Sequence, residues 1–385
     1  MKATDSRVFF IQTSVGFEEL ACIELKLKWA ALLIPPSFLD SIKMIKGGFE
    51  IEMPVGSGFL LNGLLKIPNR ILLRLDSFKC RDFPKLFNKM AKFNWRPFLR
   101  GHVPLVAATA ATSRLIHTSK IEETVKEAIA KYFEAQPPKK SHLENPSVVP
   151  TTIFIRLEND ELTLSIDTSG ERLHIRKRRE SSGSAPLRES IAAALLLHTW
   201  VTNAQADLSH VTLLDPCCGS GTFLFEAIDF FEILDRDFAY HFFPLTERIK
   251  KEELSNLSQT YRLGKLTGKD LSHEIIENNL LVKRRSPQYK KIDFIQEDLF
   301  TEGQLHDPNT WIITNPPYGK RADLAEYNFP QMIEQMIKRY KPTLLGFIIP
   351  KDFISSINIE SMKKISELPF SNGGIKVVYQ LWNLI

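Results

Sequence analysis

Two loops, each following a short apolar run, constrain this chain more than any other feature of its 385 residues. Val211-Thr212-Leu213-Leu214 leads into Asp215-Pro216-Cys217-Cys218-Gly219-Ser220-Gly221-Thr222, and the apolar stretch Phe223-Leu224-Phe225-Glu226-Ala227 follows. About a hundred residues later Trp311-Ile312-Ile313-Thr314 leads into Asn315-Pro316-Pro317-Tyr318. Apolar run, glycine loop and apolar helix make the repeating unit of an open parallel sheet. Such sheets bind ligands beyond the carboxyl ends of their strands, where the strand order reverses. Glycines at that place accept positive φ and let the backbone approach a ligand closely. The spacing is not Gly-x-Gly-x-x-Gly and the loop holds no lysine, so neither a dinucleotide fingerprint nor a phosphate loop is present.

The pattern around these loops supports the same architecture. From about residue 186, strand-like runs at 211–214, 265–269, 292–295, 311–314, 344–349 and 375–381 alternate with helical stretches. That alternation predicts an α/β, Rossmann-like domain with a parallel sheet and helices on both faces. The first half reads differently. Residues 7–12, 49–53 and 71–75 read as strands, and 17–25 and 121–133 as helices. A polar, proline-containing loop covers 137–150, and 152–157 and 162–167 flank Glu158-Asn159-Asp160-Glu161 as a hairpin. The expected division is an α+β segment over 1–45, an α+β domain over 46–168, a basic bridge over 169–189 and the α/β domain over 190–385.

Charge separates the halves. The net charge is +5 overall, but residues 1–185 carry +8 and residues 186–385 carry −3. A basic module joined to a mildly acidic one suits polyanion binding beside catalysis, although a solvated basic surface gives the same count. No apolar run approaches the length of a membrane span, and no secretion signal opens the chain. Cys22, Cys80, Cys217 and Cys218 have neither metal-ligand spacing nor a disulfide framework, which points to a reducing cytoplasm and no metal. Cys217 and Cys218 have no histidine near them in sequence and read as packing residues rather than nucleophiles.

The glycine loop and Asn-Pro-Pro-Tyr, in that order, resemble S-adenosylmethionine-dependent methyltransferases that modify exocyclic amines of nucleobases. A second set of residues narrows the resemblance. Asp167-Thr168-Ser169-Gly170, Leu173-His174-Ile175-Arg176, Arg179 and Ala185-Pro186-Leu187-Arg188-Glu189 look like the bridge of bacterial ribosomal RNA large-subunit guanine-N2 methyltransferases. Those enzymes carry a THUMP RNA-binding domain ahead of the methyltransferase domain. Gly47-Gly48-Phe49, Asn69 to Leu75, Phe78-Lys79-Cys80-Arg81-Asp82-Phe83 and the helix from Ile121 stand where that family has its THUMP segments. The chain departs from the family at Lys177-Arg178, and at Asp270-Leu271-Ser272-His273, which lacks a second acid and a proline.

The resemblance implies S-adenosylmethionine as cofactor, with Asp215, Pro216, Cys217, Gly219, Ser220, Gly221 and Thr222 in its binding loop. It also implies Asp270 as acceptor for the ribose hydroxyls and Asp298 as acceptor for the adenine amine. Either acid could instead cap a helix or sit solvated in a loop. Asn315, Pro316, Pro317 and Tyr318 would form the catalytic loop. An exocyclic amine is a poor nucleophile because its lone pair is delocalised into the ring. The Asn315 amide oxygen and the Pro316 carbonyl would accept its N–H groups, neither proline offers a competing N–H, and Tyr318 would stack on the base. His174, Arg176, Lys177, Arg178 and Arg179 would contact RNA phosphates. The implied reaction is methylation of guanine N2 in RNA, with 23S ribosomal RNA favoured. The alternatives are the same reaction on transfer RNA, adenine-N6 methylation of DNA, and a non-catalytic RNA-binding assembly factor. The sequence leaves the oligomeric state open and implies no membrane partner.

Overall fold

A computed structural model describes residues 5–138, 151–176, 187–248, 254, 264–301, 307–317, 329–357 and 359–385. The chain forms two compact units. One comprises Met1–Ser14, Ala21–Leu173 and Leu234–Asn256, and the other Val15–Leu20, His174–Ile233 and Leu257–Ile385.

The first unit holds a seven-stranded sheet. Its strands are β1 (Ser6–Gln12), β2 (Lys43–Ile45), β3 (Gly48–Pro54), β4 (Arg70–Lys79), β5 (Leu105–Ala111), β6 (Thr152–Glu158) and β7 (Glu161–Asp167), in the order β2-β3-β1-β4-β7-β6-β5. The expected hairpin is β6–β7. Asn159 and Asp160 turn it with φ of 52° and 61°, which these two residue types tolerate best after glycine. The expected separate segment 1–45 is not a unit of its own, because β1 pairs with β3 on one side and β4 on the other. Residues 234–256, expected in the second domain, also belong here. Leu234 N donates to Gly63 O at 2.9 Å, and Tyr240 stacks on Phe59 with centroids 4.9 Å apart.

A helix and a strand of this unit show why some elements escape the sequence pattern. The helix Val55–Leu64 has three glycines and no polar face, so periodicity does not reveal it. It packs so closely that a Cβ on Gly58 would lie 2.1 Å from the Phe9 ring. Strand β5 reads Leu-Val-Ala-Ala-Thr-Ala-Ala, and alanine has little intrinsic preference for strands. It forms because it pairs in parallel with β6 along seven residues.

The second unit is the expected α/β domain. Its strands are β8 (Thr212–Asp215), β9 (Leu266–Asp270), β10 (Ile292–Gln296), β11 (Thr310–Thr314), β12 (Leu344–Pro350), β13 (Met362–Asn372) and β14 (Ile375–Leu384), in the order β10-β9-β8-β11-β12-β14-β13. The five strands from β10 to β12 are parallel, whereas β14 and β13 run antiparallel. Strand β13, with two adjacent lysines and Pro369, gives no strand signal in the sequence. It lies at the sheet edge, where proline is tolerated. The parallel strands are fully apolar in the centre: all seven residues of β12 and all five of β11 are buried. Chain order reverses between β8 and β11, which are direct neighbours. Both sequence-predicted loops therefore leave adjacent strand ends.

Candidate active site

The glycine loop runs from the end of β8 to the helix Thr222–Asp229. Gly219 and Gly221 have φ of 48° and 67°, the left-handed region that side chains disfavour. A Cβ on Gly219 would meet nothing within 4 Å, so the loop presents bare backbone to open space. Its shape is held from below: Cys218 N donates to Lys269 O at 2.8 Å and Gly221 N donates to Cys218 O at 2.7 Å.

Asp270 ends β9 beside this loop. Its Oδ2 accepts from Gly219 N at 2.9 Å and its Oδ1 from Ser272 N at 2.9 Å. Each carboxylate oxygen has two lone pairs, so both can accept again. Ser272 caps the following helix His273–Arg285, so Asp270 itself is not the cap. Asp298, in the turn after β10, is half-buried and accepts from Phe300 N at Oδ1, at 2.9 Å. The turn is tied to the neighbouring acid through Glu297 N, which donates to Asp270 O at 3.0 Å.

Asp215, the last residue of β8, is only 2% exposed. Its Oδ1 accepts from Thr314 Oγ1 at 2.7 Å and from Cys217 N at 3.2 Å. The Thr314 bond joins the glycine loop to the end of β11, one residue before Asn315. Burial raises the Asp215 carboxyl from its ordinary value of 3.8 to about 7, against the lowering effect of the Thr314 and Cys217 bonds. The neighbouring charge of Asp270 adds to the rise. A carboxyl raised in this way keeps its proton in the folded chain from about pH 4 to pH 7, where the unfolded chain has released it. Its contribution to stability is full at low pH and is lost as pH rises through 7. Asp215→Asn keeps the acceptor and carries no charge. Its melting temperature relative to wild type should rise as pH increases across that window. A difference that stays constant between pH 4 and pH 8 would place the titration on another group.

Asn315 stands at the end of β11, and its Oδ1 is buried with no hydrogen-bond partner among the described residues. A buried amide oxygen without a partner costs about 1–3 kcal/mol, so its persistence points to a group that arrives from outside. Pro316 is buried and Pro317 half-buried. Tyr318 lies outside the described residues. Burial, with Asp215 and Asp270 nearby, pushes the Cys217 thiol well above its usual value, so it is a poor thiolate. Ser220 Oγ lies 3.1 Å from Thr222 Oγ1 within the loop. No His, Cys, Asp and Glu grouping among the described residues could hold a metal ion.

One residue of the basic bridge, Arg176, departs from its expected role. Arg176 is 8% exposed, and its Nε and Nη2 lie 3.3 and 3.4 Å from the two carboxylate oxygens of Glu226. Glu226 is fully buried on the helix that leaves the glycine loop. Arg176 is therefore a packing and pairing residue rather than an exposed phosphate contact. A buried glutamate on that helix needs a counter-charge, which a local run of bases does not reveal. His174 is half-buried in the turn after Leu173, and Lys177, Arg178 and Arg179 lie outside the described residues. Sequence reasoning missed Asn279, 1% exposed, whose Nδ2 donates to Gly219 O at 2.8 Å. Its position within a helical stretch gave no signal of contact with a loop sixty residues away.

Comparison with known proteins agrees with this geometry. Residues 176–367 match the family model described as UPF0020, RMKL-like, methyltransferase domain. The Ribosomal RNA large subunit methyltransferase K/L of Colwellia psychrerythraea is 27% identical over 98% of this chain and 53% of its own length. The chain thus spans about half the length of that curated relative. Among solved structures, a predicted N6-adenine-specific DNA methylase from Listeria monocytogenes aligns with TM-score 0.75 at 23% identity, over 98% of this chain and 96% of that one. TrmN from Thermus thermophilus aligns with TM-score 0.65 at 15% identity, over 99% of this chain and all of its own. These likenesses establish the fold. Adjacent strand ends carry a glycine loop and Asn-Pro-Pro, and the region that holds them, residues 176–367, is similar to the RMKL-like methyltransferase domain family.

Proposed function

We propose that this protein transfers a methyl group from S-adenosylmethionine to the exocyclic N2 of a guanosine in RNA, with 23S ribosomal RNA as the favoured substrate. The observation that carries the reading is the buried, unpartnered Oδ1 of Asn315, set beside a glycine loop with open space above it. The residues fit the cofactor. Gly219, Ser220 and Gly221 would lie along it, Asp270 would accept from its ribose hydroxyls, and Asp298 Oδ2 would accept from its adenine amine. When bound, S-adenosylmethionine supplies an electrophilic methyl group on a sulfonium.

The chain's own residues prepare the amine. The Asn315 amide oxygen and the Pro316 carbonyl oxygen would accept its two N–H groups, which favours a pyramidal nitrogen whose lone pair is no longer shared with the ring; once methylated, the nitrogen gives up one N–H proton to solvent. Neither Pro316 nor Pro317 has an N–H to donate in competition. The bond from Thr314 to Asp215 holds this loop against the glycine loop before substrate arrives, so orientation is set in advance. A base held in a duplex must first leave the stack. Asp270→Ala should weaken cofactor affinity by roughly tenfold or more, because it removes a charged acceptor and frees Gly219 N. Calorimetry with S-adenosylhomocysteine would measure it, and unchanged affinity would move the ribose contact elsewhere.

RNA binding is read from the first unit, as a THUMP-like domain. An open groove of about 780 Å³ is lined by Lys85, Lys89, Lys92, Asn88, Asn94, Phe93 and one acid, Asp76. The three lysines share one face of the helix Phe83–Lys92, and all are exposed. Phe93 is half-buried against Trp95, with centroids 4.6 Å apart. Replacing the three lysines by alanine should weaken RNA binding and reduce the salt slope by about two, at roughly 0.7 per single-strand phosphate contact. A wild-type slope would reduce them to a solvated helix face.

The name of the Colwellia relative favours ribosomal RNA over transfer RNA, and the basic first half favours RNA over DNA. Four free cysteines suit a reducing cytoplasm. The deciding experiment is methyl incorporation from labelled cofactor into purified ribosomal RNA, transfer RNA and DNA, with nucleoside mass spectrometry. N2-methylguanosine in ribosomal RNA is the expected product. N6-methyladenine in DNA would replace this reading, and RNA binding without any transfer would make the protein an assembly factor.

A further inference from the structure

The turn that carries Asp298 is held by a cluster of charged groups in which Arg339 and Lys269 are buried and Glu297 is partly exposed. Arg339 sits near the end of the helix Phe329–Tyr340 and is 4% exposed. Its Nη1 donates to the carbonyl oxygens of Asp298 at 2.8 Å and Leu299 at 3.1 Å. Its Nη2 lies 2.9 Å from Glu297 Oε1. The same oxygen accepts from Lys269 Nζ at 2.7 Å and from Tyr340 Oη at 3.2 Å. Lys269 is the last residue before Asp270 and is 6% exposed.

Packing alone does not call for such a cluster. The rest of the helix face is apolar, through Met332, Ile333 and Met336, and these bury well without charge. Taking a guanidinium and an ammonium out of water is expensive, and apolar residues of equal volume often serve stability as well or better. What the charges achieve is geometric. Arg339 presents a rigid planar fork to two successive main-chain carbonyls, so the peptide planes on either side of Leu299 are held. Asp298 Oδ1 is already taken by Phe300 N. Its backbone is held by Arg339 and its neighbour by Asp270 O, which leaves Oδ2 available as an acceptor.

We infer that Arg339, with Glu297 and Lys269, is a positioning element that makes the cofactor pocket selective for adenine, by fixing the Asp298 acceptor at a set distance from Asp270. The inference rests on the functional reading above. A fixed carboxylate rewards a 6-amino group and repels a 6-oxo group. A carboxylate on a loose turn moves aside and tolerates both.

The test uses the full chain and two probes, S-adenosylhomocysteine and its 6-deaminated counterpart, in which hypoxanthine replaces adenine. Calorimetry gives the ratio of their dissociation constants. In wild type the adenine form should bind on the order of tenfold or more tightly, as expected for one charged hydrogen bond gained or lost. Asp298→Ala should bring the ratio close to one, and Arg339→Met should do the same although Asp298 remains. A merely structural Arg339 would lower both affinities together and leave the ratio alone, and that result overturns the proposal. If Arg339→Met does not fold, Glu297→Gln is the measured variant. It keeps an acceptor but loses the charge that holds Arg339 and Lys269, so the ratio should fall several-fold. An unchanged ratio there overturns the proposal equally. Failure of wild type to bind S-adenosylhomocysteine would overturn the functional reading itself. Binding with an Asp298-independent ratio would overturn only the adenine assignment and this proposal.

Discussion

Asn315→Ala is expected to lower the rate of methyl transfer by on the order of a thousandfold while leaving cofactor affinity within about twofold of wild type. The magnitude follows from what is lost. The side-chain oxygen is a preorganised acceptor in a buried setting, and groups of that kind lose most of their effect when removed because water cannot replace them in place. The cofactor reading places no contact on Asn315, so its binding should survive. Single-turnover transfer to RNA and calorimetry with S-adenosylhomocysteine would separate the two effects. Removing a buried amide oxygen that lacks a partner should also leave the free protein as stable as before, or slightly more so. Loss of cofactor binding together with transfer would show that the division of labour between the loops is wrong.

Arg176→Met should destabilise the second unit by about 3 kcal/mol, because it takes a buried guanidinium away from the buried Glu226 carboxylate. For a unit of this size that corresponds to a fall in melting temperature on the order of 10 °C. The basic run from Arg172 to Arg179 suggests a different outcome, weaker RNA binding with little change in stability. The structure reverses the expectation for Arg176, whose side chain is 2% exposed. The double variant Arg176→Met with Glu226→Gln should recover much of the stability, since neither partner is then a buried charge. A normal melting temperature for Arg176→Met, with reduced RNA affinity, would restore the phosphate-contact role.

Sequence reading worked best where a short segment carries its own instructions. The β6–β7 hairpin was legible because Asn and Asp accept positive φ between two alternating runs. The central parallel strands β11 and β12 were legible because strands buried on both faces read as largely apolar runs. The reading failed where neighbours decide. Strand β5 is alanine-rich and exists through its ladder to β6. Strand β13 carries lysines and a proline and is permitted by its edge position. The helix Val55–Leu64 is hidden by glycines that its close packing demands. At the site, Asp270 and Asp298 could be singled out by their places after strands. Asn279 and Arg339 could not, because each acts on a loop far from it in the chain.

The order of strand, glycine loop and helix, the later Asn-Pro-Pro, and the unequal charge of the two halves were all determined by the sequence itself. They depend on local stereochemistry and on composition, which need no knowledge of what lies across the fold. Tertiary structure alone decided that β8 and β11 are neighbours, which brings Thr314 within 2.7 Å of Asp215 across 99 residues. It alone decided that Arg176 turns inward to Glu226 while its neighbours in the basic run carry the same charge. The physical reason is that a side chain's pattern states whether it seeks burial or a partner. Which partner it meets depends on the order in which strands assemble, and hydrophobic periodicity carries no record of that order.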